Sequence, residues 1–335
     1  MIGSDSMDFS LKNIWQTFFS FRQGKKKSAE LEYFQYYLEN SLFGLYKDLN
    51  TDAYQHGLYR QFIATDNKRR CVSVAGIRDR VVHRLLYDHL VIIYNKIFIY
   101  DVWSCRPGKG LLGAIERAQE FMRKNKNAYI WRADIKKFFD NVNHNILKTI
   151  LSFKVKDDVL FRLLENVINS YACNNELERE RERERESNGA DFHGIPIGNL
   201  TSQIFANIYL NEFDRFIKHK LGVRYYLRYG DDFVIICENR EELYKIKELA
   251  INFLQRELKL AINKKNDIII DIGKGIKFLG VEIWPNGRRL KKRNIKRIDE
   301  RLSWNNVCSY SGLVDKHGNI KLKKYLNWKI SEILR

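Results

Sequence analysis

Apolar positions recur every three or four residues over much of the chain and alternate or run together elsewhere, and the two patterns separate predicted helices from predicted strands. Residues 28–49 (SAELEYFQYYLENSLFGLYKDL) have helical spacing. Strand-like runs follow at about 58–64 and 70–75, on either side of the basic turn DNKRR, and 79–98 is predicted helical again. CRPGKG (105–110) is a turn feeding the helical stretch LLGAIERAQEFMRK. AYIWRADIKKFFDNV (128–142) begins as an apolar strand and ends as a loop or helix start, and helical spacing fills 144–171. GIPIGNLTSQ (194–203) is a turn, with a helix from there to about 220. YYLRYGDDFVIIC (225–237) is predicted as two strands meeting at Gly230–Asp231–Asp232. A helix over 240–257, strand-like NDIIIDI and IKFLGVEIW, and cationic helices over 288–302 and 320–335 complete the chain. Strands and helices alternate irregularly, which predicts an α+β architecture.

One stretch fits neither pattern. ERERERERE (178–186) as a helix would set like charges four residues apart, which is unfavourable, so it is expected to be a solvated loop.

Composition sharpens this picture. The 335 residues are 44 % hydrophobic and 13 % aromatic, a globular profile. Lys and Arg number 59 against 41 acids, a formal charge of +18, which implies a polyanionic partner such as nucleic acid. No run of about 18 apolar residues could span a bilayer, and no N-terminal signal pattern is present, so the expectation is a cytoplasmic protein without a membrane partner. The opening MIGSDSM is expected to be a leader ahead of Met7. Cys71, Cys105, Cys173, Cys237 and Cys308 form no CxxC pair, so neither a zinc site nor a disulfide framework is expected.

The candidate chemistry lies in the acids. Asp231 and Asp232 stand at a tight turn between apolar runs, where two adjacent negative charges are costly unless neutralised. Gly-Asp is also an ordinary turn dipeptide, so the pair alone does not decide between a turn and a site. Asp134 ends the apolar strand AYIWRA. Three carboxylates converging from two rigid elements suit two hard divalent ions, typically Mg²⁺, and the phosphoryl-transfer chemistry such a pair supports.

YGDDF (229–233), ADIKKFFDNV (133–142) and GIPIGNLTSQIFANIYLNEFD (194–214) resemble, in order and spacing, the motifs of reverse transcriptases. IRDRVVH (77–83) and CRPGKG (105–110) resemble the finger motifs of the bacterial and group II intron branch, and LKLAINKKND (258–267) and IKFLGVEI (276–283) its late palm motifs. The resemblance covers roughly 60–285. It implies a right-hand polymerase fold: fingers and N-terminal region over 1–130, a palm over 131–285 with a charged insert at 175–190, and a short basic thumb over 286–335.

The resemblance also implies roles. Asp134 and Asp231 would bridge two Mg²⁺ ions, with Mn²⁺ able to substitute, Asp232 would support them from one side, and the Ile135 carbonyl would be an extra ligand. Lys68, Arg69 and Arg70 match the basic finger turn that contacts the triphosphate. Lys264 or Lys265 is similar to the lysine that protonates pyrophosphate. Gly198 falls among the nucleotide-binding positions, and Arg78, Arg80, Arg106, Lys291, Lys292 and Arg293 among the nucleic-acid contacts. Phe139 stands where RNA-synthesising relatives with a GDD turn carry a second Asp, so its ring would block a ribose 2′-hydroxyl and select dNTPs. Each of these residues also has an ordinary use, as a surface cation or a core aromatic.

The branch is read from IPIGNLTSQ. Most reverse transcriptases resemble PQGxxxSP here, and this chain has Ile197 for the glutamine and Gln203 for the proline. The pattern resembles diversity-generating retroelement reverse transcriptases of bacteria and phages. These copy a template-repeat RNA and misincorporate opposite adenine, with a small basic accessory variability protein as partner. Ile197 cannot donate a hydrogen bond, so it would police base pairing less tightly. The competing expectations are a group II-like or phage-defence reverse transcriptase of ordinary fidelity, and a catalytically silent RNA-binding scaffold.

Overall fold

A computed structural model describes residues 6–65, 69–173 and 192–333. Lys68 and the Glu/Arg run lie outside them. In chain order the elements begin with helices α1 (Leu11–Arg22), α2 (Ala29–Tyr36) and α3 (Leu38–Asn50), strands β1 (Arg60–Thr65) and β2 (Arg69–Val74), and helices α4 (Ile77–Tyr94) and α5 (Leu111–Lys124). Strand β3 (Tyr129–Asp134), a 3₁₀ turn at Phe138–Asp140, and helices α6 (His144–Ser152), α7 (Asp158–Cys173) and α8 (Leu200–Arg215) follow. The chain then runs through β4 (Tyr225–Tyr229), β5 (Asp232–Cys237), α9 (Arg240–Arg256), β6 (Ile268–Asp271), β7 (Ile276–Phe278), β8 (Val281–Trp284) and β9 (Gly287–Leu290). Helices α10 (Lys292–Arg301), α11 (Val307–His317) and α12 (Ile320–Ile333) come last.

Local chemistry accounts for several boundaries. Ser10 caps α1 by accepting from Asn13 N, Ser28 caps α2 by accepting from Leu31 N, and Asn143 caps α6 by accepting from Ile146 N, each satisfying an amide that the helix cannot. The single helix expected over 28–49 is two, broken at Tyr37. The single strand expected over 276–284 is a hairpin. Phe278 pairs with Val281, and the two loop residues, Leu279 (φ +46°) and Gly280 (φ +86°), both take positive φ, the signature of a tight twisted turn. Residues 288–290, expected to be helical, form β9 and extend that hairpin to three strands in the order β7-β8-β9.

The chain divides into two compact units, each assembled from separate stretches of sequence. The first comprises residues 1–100, 135–216 and 250–261. It contains the two-stranded β1/β2 sheet and a helical body in which α4 packs on α8 and α1 packs on α4. The second comprises 101–134, 217–249 and 262–335. Its antiparallel sheet has the order β4-β5-β3-β6, so β5 and β3 are central. Central strands are covered on both faces, which is why YIWRA and DFVIIC are nearly continuous apolar runs. Ile115, Phe121 and Met122 of α5 join Leu227, Val234 and Ile236 of that sheet, Val281 and Ile283 of the hairpin, and Ile298, Val314 and Leu326 of the last three helices in one core. Among the described residues no helix is long and apolar enough to cross a membrane.

Candidate active site

The three acids singled out in the sequence all belong to the second unit. The β3/β5 register sets Asp134 directly opposite Asp232, at the ends of the two central strands. Tyr229 pairs with Asp232 across β4/β5, leaving Gly230 and Asp231 as a two-residue turn. Gly230 has φ +63° while Asp231 stays at negative φ, the arrangement in which glycine is favoured at the first turn position. The turn is held from below: Ser104 Oγ accepts from Gly230 N at 2.9 Å, and the buried Arg228 donates to Gly230 O at 2.9 Å.

The carboxylates are not equivalent. Arg132, two residues before Asp134 on β3, grips Asp232 with both arms, Nε donating to Oδ1 at 3.0 Å and Nη2 to Oδ2 at 2.8 Å. Burial raises the Asp232 carboxyl above its ordinary range, the Arg132 guanidinium pulls it back, and the Asp134 charge adds to the rise. Asp134 has a different environment. Its Oδ2 accepts from Asn266 Nδ2 at 2.9 Å and from Asn263 Nδ2 at 3.4 Å, and its carbonyl accepts from Asn263 N at 2.9 Å. Its Oδ1 is buried and has no hydrogen-bond partner among the described residues. Neither asparagine was singled out in the sequence, although an Asn-Lys-Lys-Asn turn ahead of a strand is a recognisable signal in retrospect.

Among the described residues no three His, Cys, Asp or Glu side chains gather closely enough to hold a metal ion. The carboxylates therefore do not form the ready three-acid cluster that the sequence suggests, and Arg132 already occupies both oxygens of Asp232. The site still suits a hard cation. A buried anionic oxygen without a donor is costly, and an oxygen-seeking divalent ion would relieve it. Ile135, whose carbonyl was expected to assist, follows Asp134 directly in the chain with its side chain buried, and is itself counted with the first unit.

Of the other expected residues in this unit, Lys264 and Lys265 are exposed at the two central positions of the turn closed by Asn266 N donating to Asn263 O. Arg106 donates to Val102 O at 3.2 Å. Lys292 and Arg293 are exposed, whereas Lys291 is half-buried, and burial, Arg132 and Arg293 lower its pKa while Asp232 raises it.

The first unit carries the remaining ones. Arg69 and Arg70 are exposed at the start of β2. The Ile197 carbonyl accepts from Ser73 N at 2.9 Å, and Asn199 spans the same strand, donating to Ser73 O at 2.7 Å and accepting from Ala75 N at 3.1 Å. Gly198 has φ +115° there, and a Cβ on it would lie 2.7 Å from Val72 Cγ1, so only glycine fits. Ile197 is half-buried and Gln203 exposed. Phe139 packs edge-on against Phe138 at 5.5 Å, and its carbonyl accepts from Ile195 N. Arg78 is engaged within the protein, with Asp48 at 2.5 Å, Gln55 O at 3.3 Å and the Tyr54 ring at 4.9 Å. Arg80 lies over the Phe21 ring at 5.0 Å, with burial lowering its pKa.

Comparison with known proteins gives this geometry a context. Residues 63–283 match the model of a family described as reverse transcriptase (RNA-dependent DNA polymerase). The chain is 24 % identical to protein YkfC of Escherichia coli over 77 % of its own length and 74 % of that protein. It is 27 % identical to the COX1/OXI3 intron 2 protein of Saccharomyces cerevisiae, covering 71 % of this chain and 33 % of that one. It is 22 % identical to the group II intron-encoded protein LtrA of Lactococcus lactis, covering 69 % and 47 %. The chain thus spans a third of the yeast relative and about half of the lactococcal one. Its fold is similar to apo telomerase from Candida tropicalis, with a TM-score of 0.53 at 14 % identity, over 83 % of this chain and 57 % of that one.

Proposed function

Because the chain belongs to the reverse transcriptase (RNA-dependent DNA polymerase) family, we propose that it copies an RNA template into DNA at the ends of β3 and β5. The observation that carries this reading is the buried oxygen of Asp134 that lacks a donor, in a residue set opposite Asp232 and its turn neighbour Asp231. Two divalent cations, when bound, would acidify the primer 3′-hydroxyl and neutralise charge on the nucleotide phosphates. Asp134 and Asp231 would hold them, with the Ile135 carbonyl beside Asp134. Asp232, held by Arg132, would keep the turn in place rather than supply both oxygens to an ion. Lys68, Arg69 and Arg70 would contact the triphosphate, Phe139 would exclude a ribose 2′-hydroxyl, and Lys264 or Lys265 would stand ready to protonate pyrophosphate.

Primer extension on an RNA template with dNTPs and Mg²⁺ tests this. Asp134→Asn and Asp231→Asn should each cost about a thousandfold, the loss of about 4 kcal/mol of transition-state stabilisation. Activity equal to the parent in Asp231→Asn would overturn the assignment.

The finer reading is that the cDNA is mutagenised at template adenines, within a bacterial or phage retroelement that diversifies a protein and supplies a small basic accessory protein. It rests on Ile197, an aliphatic side chain on a turn fixed by Ser73, Gly198 and Asn199. Sequencing the cDNA decides it: errors should concentrate opposite adenine and decline in Ile197→Gln. Errors spread evenly over the four template bases would instead favour a group II-like or phage-defence reverse transcriptase of ordinary fidelity.

A further inference from the structure

Asp134 is held by a small device that the reaction as described does not use. Residues 263–266 form a turn in which Asn266 N donates to Asn263 O at 2.9 Å. The turn is fastened at both ends. Asn263 N donates to the Asp134 carbonyl at 2.9 Å, locking one end to the tip of β3. At the other end, Asp267 Oδ1 accepts from Trp131 Nε1 at 2.7 Å and its Oδ2 accepts from Lys247 Nζ at 2.6 Å. Beyond it, Ile268 pairs with Arg132 in the sheet.

Between these anchors the two asparagine amides converge on one oxygen of Asp134, at 2.9 Å and 3.4 Å. Their orientation follows from chemistry. A carboxylate only accepts, so each amide must face it with nitrogen, and Asn263 Oδ1 is left to accept from Lys265 N at 3.2 Å. One oxygen of Asp134 thus has two donors, and the other, buried, has none.

We propose that Asn266, assisted by Asn263, is a positioning residue that restricts Asp134 to one-oxygen coordination of a divalent cation. A carboxylate with both oxygens exposed can chelate, bridge or rotate. With one oxygen committed to amides on an anchored turn, only the other can reach an ion, and its direction is fixed before the ion arrives. The same turn carries Lys264 and Lys265 on its solvent side, so the clamp also sets where those two ammonium groups begin. This inference rests on Asp134 being a cation ligand, as proposed above.

The test is Mn²⁺ binding to the full chain, read by loss of the free-ion signal in electron paramagnetic resonance, with thermal unfolding measured on the same samples. Asp134→Asn should abolish the tightest site. Asn266→Ala should weaken it about tenfold or more, the usual cost of losing a residue that orients a ligand, with an unfolding temperature close to the parent's. Asn266→Ser, which keeps a short donor, should weaken it less, and Lys274→Ala, which removes an exposed cation outside this turn, should not weaken it. The half-saturating Mg²⁺ concentration in primer extension should rise in the same order. If Asn266→Ala folds and binds Mn²⁺ within twofold of the parent while Asp134→Asn does not bind, the clamp is refuted and the metal assignment survives. If Asn266→Ala does not fold, Asn266→Leu, which fills the space without donating, takes its place, and parent-like Mn²⁺ binding by that variant refutes the clamp. Parent-like binding by Asp134→Asn refutes both.

Discussion

Arg132 is a residue outside the acids whose loss should be costly. It is the polar exception in an apolar central strand, its side chain keeps 14 % of its exposure against 18 % for Asp232, and its fork matches both carboxylate oxygens. Removing one member of such a pair strands the other charge in a poorly solvated place. Arg132→Met should therefore destabilise the chain by about 3 kcal/mol, toward the lower end for buried pairs because some solvent reaches this one. Arg132→Lys keeps the charge but not the fork, and should cost about 1 kcal/mol. Combining Arg132→Met with Asp232→Asn removes the stranded charge and should recover part of the loss. Urea unfolding of the two single variants and the double closes the cycle. Additive losses would mean that the pair contributes nothing specific. At this scale the sequence shows which acids matter but not their partners. Periodicity marks β3 as buried without revealing that Arg132 faces Asp232, because that depends on the register with β5.

At the scale of elements, the loop entering the Ile197 turn is fastened by a histidine. His144 N, at the start of α6, donates to Phe192 O, Gly194 N donates to Val142 O, and the His144 ring lies 2.6 Å from Gly194 O through Nε2. That oxygen only accepts, so Nε2 carries the proton, and Nδ1 is buried with no partner among the described residues. Burial lowers the His144 pKa from 6.5 to about 4. A histidine depressed in the fold binds its proton more readily when unfolded, so its contribution is complete above pH 6.5 and lost as the pH falls through 4. The loss approaches about 3 kcal/mol at 1.36 kcal/mol per unit. His144→Gln, which removes the titrating ring, should flatten the fall in stability between pH 6.5 and 4, measured by urea unfolding across that range. An unchanged acid limb would place the titration elsewhere. Elements such as α4 and α8 were legible because long helical periodicity survives any tertiary context, and β3 because its apolar run is nearly continuous. The β7/β8 hairpin was not, because Leu279 at φ +46° is a residue that turn rules do not anticipate. The Asn263–Asn266 clamp is not legible in the sequence for a related reason: the neighbouring lysines carry the charge, while the amides act through geometry.

For the whole molecule the charge is the dominant fact, and its placement makes a prediction. Residues 286–335 hold fourteen Lys and Arg against four Asp and Glu, an excess of ten out of the net +18. Part of that excess is tied up, as in Arg289 with Glu282, Lys323 with Asp315 and Lys329 with Asp299. Lys292 and Arg293, at the start of α10, are exposed and have no acidic partner among the described residues. A cation that neutralises a phosphate releases counterions, so affinity for a duplex should fall with salt at about 0.9 per contact on logarithmic axes. Lys292→Ala with Arg293→Ala should lower that slope by about 2 and weaken binding of an RNA/DNA duplex equally for unrelated sequences. Arg78 supplies the contrast. It was expected to touch nucleic acid, but its guanidinium is taken by Asp48, Gln55 O and the Tyr54 ring. Arg78→Ala should leave the slope unchanged while lowering the unfolding midpoint, since it removes internal contacts and no phosphate contact. Titrations at four or five salt concentrations separate the two outcomes. A slope that falls in Arg78→Ala and holds in the double variant would place the phosphate contacts with Arg78 rather than at the start of α10.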